Sequence, residues 1–216
     1  MADGEQRPLT RKQAWDLVGG LGRPSKMPGY AYGLPARECL VGSKLRPVPG
    51  SVCNKCYAMK GHYTMPNVED ALYRRLESIK HPRWVEAMTQ LISTIDMRYF
   101  RWHDAGDIQS PTHLEKIAAI AVACPHVRFW LPTREKVFVY TYLKKHGAFP
   151  KNLVVRLSAT MVDGPPPTGF PNTSTVSRGE PFSPKVTCPA PEQNNECGAC
   201  RRCWNPRVKN VCYAKH

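Results

Sequence analysis

No stretch of the sequence approaches eighteen consecutive apolar residues, so it offers no membrane-spanning helix. The opening segment, MADGEQRPLTRKQ, carries early acids and lacks an apolar core, and is not expected to act as a secretory signal. The chain is therefore expected in a reducing compartment, the cytoplasm, where metal binding is a better use of thiols than disulfides. Acidic residues are scarce: 17 Asp and Glu stand against 31 Lys and Arg, a formal charge of +14. The cations are scattered and form no single block, so the charge fits a nucleic-acid or nucleotide partner as well as a basic enzyme acting on small anions. No internal repeat is present beyond an alternation of strands and helices. At 216 residues the chain is long enough for a single domain, 1–216, with a real core.

Seven of the nine cysteines fall into two groups. Cys188, Cys197, Cys200 and Cys203 follow the spacing Cys-x8-Cys-x2-Cys-x2-Cys. Two consecutive Cys-x2 steps place three thiolates on one tight turn, a spacing that suits an iron–sulfur cluster. Structural zinc is the alternative, because zinc also accepts four thiolates from short knuckles. Cys39, Cys53 and Cys56 form an earlier group with the spacing Cys-x13-Cys-x2-Cys. Three thiolates from one loop can hold three irons of a 4Fe–4S cluster and leave the fourth open to chemistry, as an open position separates catalytic from structural zinc. The alternative has only the Cys53–Cys56 pair binding metal, with Cys39 in the core. Seven thiolates exceed the needs of one cubane, which favours two clusters over one. Cys124, after IAAIAVA, is expected to be a buried small hydrophobe, and Cys212 is left open as a spare ligand.

Thr10 and Gln13 have capping-box spacing, and Gly19–Gly20 close a short first helix after a flexible start over 1–9. Residues 21–52 are rich in Gly and Pro and read as irregular, with a short strand near Tyr30–Leu34. Two helices follow, one capped by Asn67 and one opened by Pro82. Strands are expected over 97–103, 127–132 and 152–159. Between them lie a helix capped by Ser110 and a helix running from Thr133 to about Lys145. Strand–helix–strand alternation with short links means βαβ units and a parallel sheet. The expected fold is α/β, a TIM-barrel-like parallel βα barrel, complete or partial, with a Cys-rich loop and a Cys-rich tail. Residues 161–187 hold six prolines and no helical period, so 161–216 is expected to be a loop-rich, metal-binding extension.

In parallel α/β folds the residues just after each strand gather on one face, where ligands bind. Here those positions are His103, Asp104, Gly106 and Asp107, then Thr133 and Arg134, then Ser158 with Thr160. His103, Asp104 and Asp107 are suited to proton transfer or to holding a ligand's amino group. Gly106 would let the backbone approach a ligand. The alternative makes Asp107 a structural cap and His103 a satisfied strand-end residue. Arg101, Arg128 and Arg156 place one charge in each strand, where parallel sheets are normally apolar. They either line an anionic cavity or pair with acids at strand edges. His62, His81, His113, His126 and His146 read as loop or helix-surface residues.

The ordered set CNKCYAMKG, FRWHDAGDI, FWLPTRE and CGACRRCW resembles the bacteriophage and prophage "gene 88 product" family, from about residue 30 to the C-terminus. That resemblance implies a phage origin, hence the host cytoplasm, and no particular reaction. A looser similarity is to radical S-adenosylmethionine enzymes, where a βα barrel follows a three-cysteine loop. It implies a 4Fe–4S cluster on Cys39, Cys53 and Cys56, S-adenosylmethionine near Ala105–Asp107, and an auxiliary cluster on Cys188–Cys203. The sequence departs from that pattern: Lys55 stands where an aromatic is usual, and AGD has one glycine and Asp in place of Glu.

The sequence thus leads to an iron–sulfur protein, an enzyme with an open-iron cluster acting on a small anionic substrate. Its rivals are a nucleic-acid-binding module with structural zinc or iron–sulfur sites, and an iron–sulfur redox sensor or electron carrier.

Overall fold

The computed structural model describes residues 7–179 and 186–215. Residues 1–6 of the expected flexible start and 180–185 of the proline-rich stretch lie outside the described residues. Six strands carry the fold: β1 (Tyr30–Tyr32), β2 (Tyr99–Trp102), β3 (Arg128–Thr133), β4 (Leu153–Ser158), β5 (Thr173–Ser177) and β6 (Asn210–Ala214). Around them run α1 (Arg11–Leu17), α2 (Leu40–Leu45), α3 (Pro66–Ser78), α4 (Trp84–Thr94), α5 (Pro111–Ala123) and α6 (Lys136–His146). Every strand pair is parallel, and the order in space follows the order in the chain.

The complete barrel held open by the sequence is not formed, because β1 and β6 end the sheet and do not pair. Short bridges blunt both edges, Gly22 antiparallel to Ala31 on β1 and Thr187 parallel to Cys212 on β6. The stretch read as a loop-rich tail contributes β5 and β6 to this same sheet. Among the described residues, no helix is long and apolar enough to cross a membrane.

Local chemistry explains most helix ends. Thr10 and Gln13 form the expected reciprocal capping box on α1. Ser110 accepts from the His113 amide at 3.0 Å, with Pro111 in the first turn of α5. Three starts differ from expectation. Pro66, with its φ already set for a helix, opens α3 one residue before Asn67, which is inside the helix. Arg83 precedes α4, so Pro82 stays outside it. Thr133 is still in β3, paired with Leu157, so α6 cannot begin before Lys136.

The two faces of the sheet differ in kind. Phe100 and Trp102 on β2, Phe129 and Leu131 on β3, and Leu153, Val155 and Leu157 on β4 join one large apolar core with α4, α5 and α6. Alternation along each strand sends Tyr99, Arg101, Trp130, Arg156 and Ser158 the other way. That second face is covered by the C-terminal segment, where Trp130 packs with Cys203, Trp204 and Val211. On the helix side Tyr32 ties three helices to β1: its hydroxyl donates to the Val18 carbonyl at 2.7 Å, meets Ser78 Oγ at 2.8 Å and accepts from Trp84 Nε1 at 3.2 Å. Burying each such aromatic contributes about 1.5–3 kcal/mol.

Candidate functional site

The Cys39–Cys56 loop leaves β1 and is pinned from several sides. Cys39 precedes α2, and the Val41 amide donates to Glu135 Oε1 at 2.8 Å, fixing the turn to the end of β3. Ser51 donates to the Leu45 carbonyl at 2.6 Å and accepts from the Asn54 amide at 3.0 Å. The Val52 amide donates to the Thr160 carbonyl at 2.9 Å, which ties Cys53 to the chain just past β4. Gly42 keeps the centre of the loop clear. A Cβ there would stand 3.6 Å from Cys39 Sγ and 3.7 Å from Cys53 Sγ, so both sulfurs face the same small space. Burial, then the charges of Asp107, Cys56 and Cys53, push the Cys39 thiol well above its ordinary value.

The second group is built differently, around a buried cation. Arg156 is fully buried, and each of its five N–H groups donates to a backbone carbonyl: Cys203 at 3.0 Å, Thr173 at 3.3 Å, and Arg202, Asn205 and Val208 at 2.9 Å each. Neither role expected for this arginine holds: it does not line the cavity and pairs with no acid among the described residues, but clamps the segment that carries Cys203. Trp204 adds a bond from Nε1 to the Phe100 carbonyl at 2.9 Å. Cys203 Sγ lies 3.2 Å from the Tyr213 hydroxyl, and burial pushes its thiol up to about 12. The Cys197 amide donates to the Lys26 carbonyl and the Cys188 amide to the Cys212 carbonyl, at 2.9 and 2.7 Å.

The two groups meet. Cys39, Cys53 and Cys56, together with Cys188, Cys197 and Cys203, line one cavity of about 460 Å³ at the C-terminal ends of the strands. Cys200 lies outside that lining but within electrostatic reach of Cys188 and Cys197. Cys212, buried in β6, does not line the cavity, and Cys124 is buried in the helix-side core as expected. Among the described residues, no three His, Cys, Asp or Glu side chains gather closely enough to hold a single metal ion. A wider groove of about 1050 Å³ between α1 and α3 is lined by Asp16, Asp70, Arg74 and Glu77, contains no cysteine, and opens broadly to solvent.

The strand-end residues line the thiol-bearing cavity except Thr133, which is buried behind it, and Thr160, which is exposed. Asp107 is buried and engaged: it accepts from Thr133 Oγ1 at 2.6 Å, the Arg134 amide at 2.9 Å and the Ile108 amide at 2.8 Å. Burial raises its carboxyl above the ordinary value, with those donors opposing. Asp107 and Thr133 therefore brace β2 against the β3–α6 turn. Gly106, at φ +80°, also lies close against the chain: a Cβ there would come 2.6 Å from Leu34 Cβ. Ser158 accepts from Ser174 Oγ at 2.9 Å. Arg134 Nε donates to the Ala159 carbonyl at 3.2 Å.

His103 and Asp104 retain open capacity. His103 sits at φ +58°, with Nδ1 3.2 Å from the Tyr32 carbonyl and Nε2 unpartnered. Burial lowers its pKa to about 3, so the ring is neutral, and donation by Nδ1 leaves Nε2 as an acceptor. Asp104 accepts from the Tyr63 hydroxyl at 3.0 Å through Oδ2, and its carbonyl accepts from the Tyr57 hydroxyl, while Oδ1 has no partner. Sequence reasoning missed Tyr63 and Glu135, since nothing in their spacing points to partners 41 and 94 positions away. It also misplaced His113, which is buried on α5 with its ring 5.3 Å from that of His103. Its position beside Leu114 and Ile117 was the available signal.

No curated protein and no solved structure matches the chain. A family model described as Gene product 88 matches residues 4–206. With that span covered, the chain belongs to the Gene product 88 family, to which the order of its motifs is likened above.

Proposed function

We propose that this protein is an iron–sulfur enzyme, with Cys39, Cys53 and Cys56 holding a 4Fe–4S cluster through three irons and S-adenosylmethionine as the candidate cofactor. Its sheet then acts as a partial βα barrel, with a small anionic substrate in the cavity at the strand ends. The observation that carries the reading is the convergence of two cysteine groups, from distant parts of the chain, on that one cavity.

The residues fit such a group. The sulfurs of Cys39 and Cys53 face a space that only a glycine at position 42 leaves free. The chain order also suits the reading: β1, the three-cysteine loop, helices, then β2 followed by His103–Asp107. When bound, an open-iron cluster supplies one-electron chemistry and a coordination position. Of the strand-end acids, Asp104 is assigned the ligand's amino group, because Asp107 is engaged with Thr133 and Arg134. His103 Nε2 accepts a hydrogen bond from the ligand. The second group holds an auxiliary cluster or a stapling metal against the same cavity.

The test is the Cys39→Ala, Cys53→Ala, Cys56→Ala triple variant, purified without oxygen. It should lose about four irons and as many sulfides per chain, together with any change that S-adenosylmethionine produces in the EPR spectrum of the reduced wild type. Full retention of iron and sulfide in the triple variant would sink the open-iron proposal.

A further inference from the structure

We infer that Arg101 and Trp130 form a receptor for an oxyanion, a carboxylate or phosphate group on the small molecule that enters the cavity. Both side chains leave the second face of the sheet and line the cavity, with the guanidinium carbon 4.5 Å from the centre of the Trp130 ring. Trp130 is 5% exposed, yet its Nε1–H has no acceptor, and neither does the Arg101 Nε–H. A buried donor without a partner is a costly feature that native folds seldom keep without a use. Two such donors, on touching groups that line a cavity, define a place for an acceptor carrying negative charge.

Arg156 provides the internal contrast. It lies on the same face of the sheet, and the fold gives a carbonyl to every one of its N–H groups. Arg134, also at the cavity, has its Nε bonded to the Ala159 carbonyl. Arg101 hydrogen-bonds Tyr57 but keeps an Nε–H that the protein does not use. Its positive charge is supported by Tyr57 and Asp104 and is felt by Cys197 and Cys203. The guanidinium thus stands within reach of both walls of the site. Lys26, Lys55, Arg134 and Lys215 add further positive charge to the lining, against Asp104 and Asp107.

The inference deepens the proposed function by placing the substrate's charged group, and it rests on that reading for the nature of the chemistry. Binding itself needs no iron, so the two can fail separately: a protein without sulfide can still bind the anion, and a cluster protein can fail to. The experiment is isothermal titration of the full chain, as isolated, with inorganic phosphate and separately with acetate, at constant ionic strength. Saturable binding of at least one probe is expected, and which probe binds identifies the group. Its dissociation constant should weaken about tenfold or more in Arg101→Gln and severalfold in Trp130→Phe, which removes the N–H but keeps a ring in place. If Arg101→Gln does not fold, Trp130→Phe decides alone. Absence of saturable binding of both probes to the wild type, or wild-type affinity in the variants that fold, would overturn the receptor.

Discussion

The helix-side face of the sheet and its opposite face teach different lessons about one set of strands. On the first, Phe100, Trp102, Phe129 and Leu131 pack into a continuous apolar core, as parallel strands between helices usually do. On the second, the alternate residues of the same strands are Arg101, Trp130, Arg156 and Ser158, and the covering layer is a loop rich in cysteine. One face contributes stability through area removed from water. The other face carries donors, acceptors and thiols, which cost free energy to bury unless each finds a partner. Arg156 has found all of its partners within the fold; Arg101, Trp130, His103 and Asp104 have not.

That contrast can be broken from either side, and the expected effects fall in order. Trp102→Ala on the helix side should destabilise the chain by about 3–5 kcal/mol in denaturant unfolding, as for other large buried aromatics. Arg156→Leu on the other face should cost about 2–4 kcal/mol, because it strands the carbonyls of the Cys203 loop. It should also lower the metal content of the C-terminal group while sparing the Cys39 group, a difference that iron counting against the triple variant would read.

The third effect concerns acid. His103 and His113 are buried and neutral, with pKa values lowered by burial, His103 to about 3 from 6.5. Depressed values mean that the unfolded chain binds more protons below pH 6.5, so their stabilising contribution is present above pH 6.5 and is lost as pH falls. For His103 unfolding free energy should therefore drop by about 1.4 kcal/mol per pH unit between pH 6.5 and about 3, and His113 adds to the drop below pH 6.5. A His103→Gln, His113→Gln variant should show a flatter profile in pH-dependent denaturant melts; an unchanged slope would contradict the assignment. The smallest effect belongs to Arg101→Gln, which should cost about 1 kcal/mol, chiefly its stacking on Trp130. A large loss of stability there would place Arg101 with Arg156 as framework.

The same division explains what could be read from the sequence. The helix-side core announces itself through local pattern: β2, β3 and β4, the Ser110–Pro111 start of α5 and the parallel alternation are all legible. β5 was hidden because Thr173–Ser177 is a hydroxyl-rich run with no apolar alternation. It is buried by polar pairing, Ser174 to Ser158, and Thr173 and Thr175 to Asn210. β6, Asn210–Ala214, follows a cysteine run and is too short to stand apart from the tail by pattern. The two cysteine groups were legible as spacing, but not their meeting at one cavity. The Arg156 clamp was also beyond reach, since its acceptors on the C-terminal loop lie 46 to 52 positions away. Asp107 shows the converse: its strand-end position suggested ligand contact, whereas Thr133 and Arg134, across the sheet, already occupy it.

The most direct test of the account is iron and acid-labile sulfide analysis of the wild-type protein purified without oxygen, with EPR of the dithionite-reduced sample. The account predicts about four to eight irons per chain with matching sulfide, and a reduced-cluster signal. Stoichiometric zinc without sulfide would contradict it, and would make the cysteines structural staples around a cavity that works by other means.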